Sequence, residues 1–368
     1  MKPSLSEGSE HEGLAPWKIS ENEFPVQGTP VDKLKFFLEF AILAPSSHNT
    51  QPWTFRISDN NTIHLYSDRI RALPVVDPDD RELTISCGSA LFNLQLAVSY
   101  FGYKFETSLL PREEESDHDL LAAVKVTDID EKLEKTKDEG LKRLFNSITH
   151  RRTNRFRFDE KEISEEILSN LQFIAQKYEN VWFHIEKKKK EKEQLAKLVT
   201  EGDLIQMSDK KFRRELASWI HTNRSHLMDG MPGYAFGFGD IMSLVGPFVI
   251  RTFDFGKGQA AKDKELAIGS PVLLVIGTNA DNTISWLNAG LSLSNMLLYL
   301  KTENLWCSYL NQPIEVPHLR KRLGSLIPGH SDTNPQLLLR LGYSNREVLP
   351  TPRRSIEQVM IREEDSHT

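Results

Sequence analysis

Hydrophobic residues along the first third of the chain recur with helical and then strand-like spacing. The pattern predicts, in order, a helix at 31–43, strands at 53–57 and 62–66, a helix at 82–101, and strands at 104–110 and 120–126. The helix at 82–101 is apolar almost all round, which is typical of a helix buried at the centre of a fold. Gly88, Ser89 and Ala90 are small and would let a second helix approach it closely.

A second block of elements begins near Gly140 and resembles the first in its order. The predicted elements are helices at 140–150 and 164–178, strands at 181–185 and 270–278, a helix at 286–300, a strand at 304–310, a short helix at 316–323 and a strand at 336–342. The helix at 286–300 is again apolar and contains the small pair Ala289-Gly290. Because no repeat is visible residue by residue, the similarity between the blocks is one of pattern alone.

The stretch 203–264 interrupts the second block and mixes glycine with aromatic residues. Glycines give a segment mobility and aromatic side chains give it an apolar surface, so the composition is typical of a lid over a ligand. The alternative is an insertion that simply packs on the core. The predicted organisation is therefore a flexible arm at 1–28, a first half at 29–136 and a second half at 137–368 that carries this insertion.

The composition argues against several classes of protein. The 368 residues are 39% hydrophobic and 27% charged, as in ordinary globular proteins, and the net charge of -6 argues against a general nucleic-acid surface. Cys87 and Cys307 are far apart and lack a CxxC pattern, which fits a reducing compartment better than a zinc site or a disulfide framework. No apolar stretch resembles a signal peptide or a membrane span, so we expect a cytoplasmic protein.

The turn between the first helix and the first strand gathers polar groups at short range. Pro45, Ser46, Ser47 and Asn49 combine hydroxyls and an amide with a backbone fixed by proline, which could hold a flat polar ligand. The alternative is an ordinary stabilised turn, since Pro, Ser and Asn are common turn residues.

Two arginine clusters are the other candidates for binding. Arg151, Arg152 and Arg155 follow a predicted helix, and Arg353 and Arg354 lie near residue 350. Paired guanidinium groups suit a phosphate, although surface salt bridges with the 52 acidic residues would also explain them. The chain has no GxxxxGK[ST] loop, no GxGxxG after a strand, and no GxSxG, HExxH or triad pattern around His48.

Three motifs together resemble the nitroreductase-like flavoproteins, and specifically their Acg-type branch. They are Ala44-Pro45-Ser46-Ser47-His48-Asn49-Thr50-Gln51-Pro52-Trp53, His150-Arg151-Arg152-Thr153-Asn154-Arg155 and Thr351-Pro352-Arg353-Arg354-Ser355. The resemblance covers about residues 30–360. It implies an α+β, nitroreductase-like fold of two pseudo-twofold-related halves, with antiparallel-rich sheets flanked by helices, and a non-covalent FMN. Each motif occurs once, so the chain resembles a fused dimer with a single FMN site, which would let it act as a monomer.

The resemblance also assigns roles to residues. Arg151, Arg152, Arg353 and Arg354 would hold the FMN phosphate, with Thr153 bonding the phosphate or the ribityl chain. Arg155 would face N1 and O2 of the flavin, where a cation favours reduction. The remaining implied cofactor-binding residues are Pro45, Ser46, Ser47 and Asn49 on the other side of the flavin, and Leu310 and Asn311, with Tyr309, near its reactive edge.

The chain departs from the family pattern in three places. Arg157 stands where phenylalanine is usual, Thr153 replaces the commoner serine, and the 203–264 stretch is longer than in ordinary nitroreductases. In Acg-type proteins such an insertion can lie over the flavin, which puts ready access for nicotinamide and nitro substrates in question.

The expected function is an FMN-dependent NAD(P)H oxidoreductase that passes hydride through flavin N5 to a small-molecule acceptor such as a nitroaromatic or a quinone. The cofactor carries the chemistry, so no catalytic side chain and no metal are expected. A second hypothesis is an FMN-sequestering protein whose lid blocks turnover. A third is a structural domain without a cofactor.

Overall fold

The computed structural model of the protein describes residues 12–111, 117–129 and 134–361. Within them, the first part of the chain forms a four-stranded antiparallel sheet in the order β1-β2-β4-β3, packed on helices. Its elements are α1 (Pro30–Ala41), β1 (Trp53–Ser58), β2 (Thr62–Ser67), α2 (Arg81–Tyr100), β3 (Lys104–Leu109) and β4 (Leu120–Thr127). The predicted elements of this block are thus present, with ends that shift by a few residues.

The second part of the chain forms another four-stranded antiparallel sheet, in the order β5-β8-β10-β9. Its elements, in chain order, are α3 (Glu139–Asn146), α4 (Glu165–Gln176), β5 (Val181–Glu186), α5 (Lys189–Ser208), α6 (Lys210–Ser218), β6 (Ile220–His221), β7 (Met231–Pro232), α7 (Asp240–Thr252), α8 (Gly256–Gly269), β8 (Val272–Thr278), α9 (Thr283–Thr302), β9 (Trp306–Tyr309), α10 (Gln312–Glu315), α11 (Pro317–Leu326), β10 (Asn334–Gly342) and α12 (Ile356–Val359).

The two sheets share one connectivity. In each, two strands precede a 20-residue helix, α2 or α9, and the last strand of the block inserts beside the second rather than at the edge. The helices α5 to α8 stand between β5 and β8, at the position where the first sheet has only the short turn between β1 and β2. The predicted α+β class with two similarly built, antiparallel halves is therefore confirmed.

Helices α2 and α9 pack against each other at the centre of the molecule, and glycines set their separation. A Cβ atom on Gly88 would lie 2.4 Å from the carbonyl oxygen of Leu287, and one on Gly290 would lie 2.1 Å from that of Ile85. The hydroxyl of Ser89 donates to the Gly290 carbonyl at 3.1 Å. The small residues noted in both predicted helices thus allow a backbone-to-backbone approach that larger residues would prevent.

Both ends of the described chain pack on the first sheet and its core. Residues 1–11 of the expected arm lie outside the described residues, but Glu12–Lys18 forms a short 3-10 helix that buries Trp17. At the other end, Val359 joins the core of the first sheet, and Met360 forms a bridge with Phe55 on β1. Both segments therefore pack on the first half, which a simple division at residue 137 does not anticipate.

The 203–264 stretch belongs partly to the core of the second half and partly to the surface. Its first residues complete α5, whose Leu195, Leu198 and Val199 share a core with β8. The short parallel pair β6–β7 and helix α7 follow, and α7 is apolar on its outer side, where Ile241 is 83% exposed. In the described part of the chain, no helix combines the length and apolar character that crossing a bilayer requires.

Candidate functional site

A cavity of about 580 Å³ lies between the turn at 45–49 that joins α1 to β1, the 151–155 segment, β9 and the 203–264 stretch. Of the cofactor-binding residues predicted from the sequence, those that line this cavity are Pro45, Ser46, Ser47, Asn49, Arg151, Arg152, Thr153, Arg155, Leu310, Asn311 and Arg353. Residues from all three motifs, far apart in the sequence, therefore meet around one space of a size typical for a single organic ligand.

The turn that borders the cavity has an unusual backbone. His48, Asn49 and Gln51 all have positive φ angles, of 49°, 57° and 53°. Residues other than glycine adopt this conformation at a cost, and asparagine tolerates it best because its short side chain can bond locally. Such a turn persists only where surrounding contacts fix it, so its hydrogen bonds decide its shape.

Asn49 supplies most of those hydrogen bonds. Its Nδ2 donates to the carbonyls of Gly230 at 2.8 Å and Pro352 at 3.0 Å, and its Oδ1 accepts from Arg353 at 2.5 Å. Both amide N–H groups are consequently used within the protein. Asn49 joins the turn to the C-terminal motif and to the 203–264 stretch, and its side chain has no donor left for a ligand.

The two serines of the turn are also bonded within the protein. The Ser46 hydroxyl accepts the backbone N–H of Gln51 at 2.9 Å, and the Ser47 hydroxyl donates to Glu82 at 2.5 Å. Glu82 is buried on α2, lines the cavity and forms an ion pair with Arg81 at 3.3 Å. The hydroxyls thus orient the turn, and the Ser46 O–H remains as a donor for a ligand beside backbone groups and apolar surface.

Four arginines on one side of the cavity form no ion pair with a carboxylate of the described chain: Arg151, Arg152, Arg155 and Arg353. Arg151 and Arg353 are buried, whereas Arg152 and Arg155 are half-buried. Burial lowers the pKa of each group, to about 9 for Arg152 and about 10 for Arg155, because a desolvated cation is unfavourable. An anion in the cavity would offset this cost.

Several N–H donors of these arginines form no hydrogen bond within the described chain. Arg151 donates to the carbonyl of Leu43, Arg152 to that of Arg151, and Arg155 to the sulfur of Met231. Each guanidinium has five N–H donors, so most of them are unused. Among the described residues, Nε of Arg353 is buried without any hydrogen-bond partner, as is the hydroxyl of Tyr309 at the cavity wall. The arginine cluster and Tyr309 therefore hold unused donors at the cavity wall.

Arg353 and Arg354 do not have equivalent positions. Arg353 lines the cavity, but Arg354 does not. The Arg354 guanidinium bonds to the carbonyls of Gln51 at 3.1 Å and Gln358 at 2.6 Å and pairs with Asp68 at 3.2 Å. In this structure Arg354 therefore ties the C-terminal motif to the turn, and its predicted contact with a phosphate would require it to leave these partners.

Trp17 belongs to the site but was not predicted from the sequence. Its ring lies 3.8 Å below the guanidinium of Arg152 and 4.7 Å from that of Arg353, and its Nε1 donates to the carbonyl of Thr351. Stacking on an aromatic face stabilises a partly desolvated arginine. The signal was a lone tryptophan within a polar stretch, but local composition did not show what would cover it.

The residues after β9 line the cavity and have polar groups that bond to β10. The backbone N–H of Leu310 donates to the Leu338 carbonyl, and the side-chain oxygen of Asn311 accepts the Leu338 N–H. Leu310 therefore contributes surface to the cavity, and both residues are held to β10. Tyr309 faces Arg151 and Arg155, and burial raises the pKa of its hydroxyl.

His48 also lines the cavity, and it is neutral near pH 7. Burial and the neighbouring Arg155 lower its pKa to about 4. The positive charge on this side of the cavity is therefore that of the arginines alone. No group of three or more His, Cys, Asp or Glu within the described ranges is placed to hold a metal ion.

A cluster of acidic residues lines the cavity elsewhere, which sequence inspection did not reveal. Asp203 lies on α5, Asp263 on α8 and Glu315 on α10. Burial raises the pKa of all three, to about 8 for Asp203 with Asp263 as the second cause, and well above the ordinary value for Glu315 with Glu82 as the second cause. The cavity thus has a basic and an acidic region, contributed by different elements.

Comparison with known proteins supports the resemblance found in the motifs. A family model described as "Putative TM nitroreductase" matches residues 20–78. The chain is 27% identical over 333 residues to "Putative NAD(P)H nitroreductase Rv3131" of Mycobacterium tuberculosis H37Rv, covering 89% of this chain and 91% of that protein. It is 26% identical over 337 residues to "Putative NAD(P)H nitroreductase acg" of the same strain, covering 89% and 95%.

Among solved structures, an FMN-bound nitroreductase from Bacteroides fragilis matches at 13% identity and a TM-score of 0.38, covering 60% of this chain and 98% of that one. The full-length relatives carry the identification. The resemblance predicted from the three motifs is confirmed, because the chain is similar over most of its length to proteins named putative NAD(P)H nitroreductases, acg among them.

Proposed function

We propose that the protein is an FMN-dependent NAD(P)H oxidoreductase of nitroreductase type. The observation that carries the proposal is the set of four buried or half-buried arginines that surround one cavity and form no ion pair with a carboxylate of the described chain. A phosphate-bearing ligand would neutralise them and use their spare donors. Relatives that align over 89% of the chain are named putative NAD(P)H nitroreductases, which favours FMN among such ligands.

The cavity residues fit this cofactor in two regions. Arg151, Arg152 and Arg353 would hold the phosphate, helped by Thr153, and the unpartnered Nε of Arg353 is a donor in reserve there. Arg155 would lie toward N1 and O2 of the flavin, where a fixed cation stabilises negative charge. When bound, FMN would accept hydride at N5 from NAD(P)H and pass it to a nitroaromatic, a quinone or a similar acceptor.

The protein's own contribution is to bind, orient and exclude water. The turn at 45–49 is fixed by Asn49 and Gln51, so it presents a rigid surface to the ring system. The stretch from 203 to 264 supplies Met231, Phe236 and Phe238 as apolar wall. A rigid apolar wall around a charged cofactor strengthens each polar contact within it.

The repeated sheet topology supports a proposal about assembly. We propose that 29–136 and 137–368 act as two fused halves around a single FMN site, so that a monomer contains the whole site. Residues from both halves line the cavity, Asn49 from the first and Arg151 from the second among them. Light scattering of the FMN-loaded protein is expected to give the mass of one chain.

A second function has a specific observation in its favour. The cavity of about 580 Å³ is the size of a site for one ligand, and the 203–264 stretch closes one side of it. If that stretch does not move, FMN would be bound and shielded from NAD(P)H. The protein would then sequester flavin, with little reductase turnover.

Anaerobic stopped-flow reduction of the FMN-loaded protein by NADPH and by NADH separates these functions. Bleaching of the flavin band at about 10 per second would be ordinary enzymatic turnover and would identify the preferred nicotinamide. A flavin that remains oxidised with both would establish sequestration instead. A protein that takes up no FMN at all would overturn both proposals.

A further inference from the structure

We propose that the outer face of helix α7, together with the basic residues beside it, binds the surface of a bilayer that contains anionic lipids. The helix would lie in the plane of the lipid–water interface. It would not cross the bilayer, because its 13 residues are fewer than the roughly 20 that a span requires. Contact with a lipid surface needs no flavin, so this proposal stands apart from the proposed function.

The outer face of α7 is an apolar stripe. Ile241, Leu244, Val245 and Phe248 recur at the spacing of one helix face, and all four are exposed, Phe248 by 65%. Residues 241–250 include no acidic, basic or histidine side chain. Monomeric proteins seldom expose several large apolar side chains in one group, so the stripe has the character of a contact surface.

The opposite face of α7 is already used within the protein. Ser243 and Gly246 are buried, and the Ser243 hydroxyl accepts the backbone N–H of Asn223 at 3.1 Å. Gly246, Val249 and Ile250 line the cavity. The helix therefore has two apolar faces, one toward the cavity and one toward the surroundings.

The exposed apolar surface continues beyond the end of α7. Phe253 and Phe255 are about half exposed, and their ring centroids lie 6.2 Å apart. Gly256 follows Phe255 and packs on α5, where a Cβ atom added to it would lie 3.5 Å from Cα of the exposed Leu204. The surface thus extends from α7 to the end of α5.

Basic residues flank this surface. Lys210, Lys211 and Arg214 are exposed on α6, the helix that packs against α7. Arg251 and Lys257 are exposed on either side of Phe253 and Phe255 in the chain. These five basic side chains form no ion pair with any described residue, so their charge is available to an external partner.

The exposed acidic residues of the 203–264 stretch are fewer and are bonded within the protein. Asp240 pairs with Arg224 at 2.9 Å. Asp209 and Asp254 accept backbone N–H groups, each at 2.7 Å, from the residues two positions later. Although the whole chain has a net charge of -6, this part of its surface is therefore positive and suits anionic headgroups.

A second copy of the chain fits the stripe less well than a lipid surface does. A symmetric contact would place the same patch of both copies face to face. The basic residues of α6 in one copy would then approach those of the other, and like charges repel each other across an interface. A bilayer offers acyl chains to the stripe and negative charge to the residues beside it.

Vesicle flotation with the full FMN-loaded chain tests the proposal. Binding would be compared between phosphatidylcholine vesicles and vesicles that also contain about 30% phosphatidylglycerol. We expect at least about 10-fold stronger binding to the anionic vesicles, and most of this difference should disappear in about 0.5 M salt because the charges are screened. FMN-free protein should give the same result.

Substitutions separate the stripe from the basic residues. Phe248→Gln should weaken binding to the anionic vesicles at least about 10-fold, because an apolar ring no longer enters the interface. Phe173→Gln is the matched control, since Phe173 on α4 is 62% exposed and lies outside the stripe. Replacing both Lys211 and Arg214 by Gln should weaken binding to anionic vesicles about 10-fold and leave binding to phosphatidylcholine unchanged.

Ile241→Gln, at the most exposed position of the stripe, provides the same comparison if Phe248→Gln fails to fold. Native protein that does not bind anionic vesicles would overturn the proposal. Binding that survives both Phe248→Gln and Ile241→Gln would also overturn it. Light scattering of the native protein identifies the competing occupant, since a dimer that Phe248→Gln separates would assign the stripe to a second copy and refute the lipid surface.

Discussion

At the scale of single residues, Asn49 has a role that its motif did not suggest. The resemblance implied that Asn49 lines one side of the flavin. In the structure it lines the cavity, and its amide bonds the Gly230 and Pro352 carbonyls and Arg353. The positive φ of 57° explains why asparagine suits the position. The sequence showed that this turn was unusual, while the partners of the amide depend on chain segments roughly 200 and 300 residues away.

Replacing Asn49 separates its hydrogen bonds from its backbone conformation. Asn49→Gly should cost about 2 kcal/mol of unfolding free energy, for the loss of buried hydrogen bonds. Asn49→Ala should cost roughly 1 kcal/mol more, because alanine is strained at positive φ. Urea denaturation of the FMN-free protein measures both values. Equal stability of the two variants would contradict the backbone argument.

Arg152 allows the cost of a desolvated cation to be measured. Arg152→Met keeps an unbranched side chain over Trp17 but removes the charge, so FMN should bind about 10- to 100-fold more weakly through the loss of charge-assisted hydrogen bonds. The melting temperature of the FMN-free protein should not fall, since a half-buried cation without an ion-pair partner is removed. Fluorescence quenching gives the FMN affinity. The exposed Arg224→Met is the control, and an unchanged affinity in Arg152→Met would argue against a phosphate here.

The pair Arg353-Arg354 shows why site residues are harder to predict than motifs. Both arginines match the family pattern, yet one lines the cavity and its neighbour bonds to Asp68 and to backbone carbonyls. Adjacent side chains in an irregular segment can point in different directions, and the sequence does not record which. The motif therefore placed the segment at the cavity but did not distinguish the two arginines.

At the scale of elements, prediction succeeded where the signal was local. The hairpin of β1 and β2 and the buried helices α2 and α9 follow from periodicity and turn residues within about 20 positions. The acidic region was not predictable in this way, because Asp203 and Gln312 meet across 109 residues. Nothing near either residue indicates that α5 and α10 are adjacent.

The close contact of α2 and α9 can be tested by adding a single methyl group. Gly290→Ala would place Cβ against the carbonyl of Ile85 and should destabilise the protein by about 2–4 kcal/mol, since both helices must move. Gly258→Ala, in α8, meets no atom within 4 Å and should be neutral or stabilising by up to about 1 kcal/mol. Denaturation midpoints measure the stability of both variants against that of the native protein. A Gly290→Ala protein as stable as the native one would refute the packing argument.

At the scale of the whole molecule, the cavity separates charges that a globular protein ordinarily pairs. In the described part of the chain, arginines without ion-pair partners come from the 151–155 segment and position 353, and carboxyl groups without them come from α5, α8 and α10. Because the arginines and the carboxyl groups do not pair with each other, their burial lowers the stability of the ligand-free protein. Such a cost is typical of sites whose ligands supply the missing charges.

The burial of Asp203 predicts that the stability of the protein depends on pH. Folded protein keeps a proton on Asp203 up to about pH 8, whereas the unfolded chain releases it near the ordinary aspartate pKa. The folded state binds more protons between these values, so the contribution of Asp203 to stability falls as pH rises. In FMN-free protein, the melting temperature of Asp203→Asn relative to native should rise by at least about 2 °C from pH 5 to pH 8.

The lowered pKa of His48 acts with the opposite sign but is common to both proteins, so it cancels in their difference. The exposed Asp79→Asn variant should show no such trend. A constant difference between Asp203→Asn and native protein over this range would contradict the raised pKa of Asp203.

The bond between Asn49 and Pro352 spans 303 positions and has a consequence for biosynthesis. A nascent polypeptide leaves the ribosome from its N-terminus, so the turn at 45–49 emerges long before Thr351-Pro352-Arg353. Until that late segment appears, Trp17 lacks its Thr351 partner and Asn49 lacks its Arg353 partner. Capture of a prosthetic group would therefore follow translation, because the cavity lacks Arg353 until that late segment has left the ribosome.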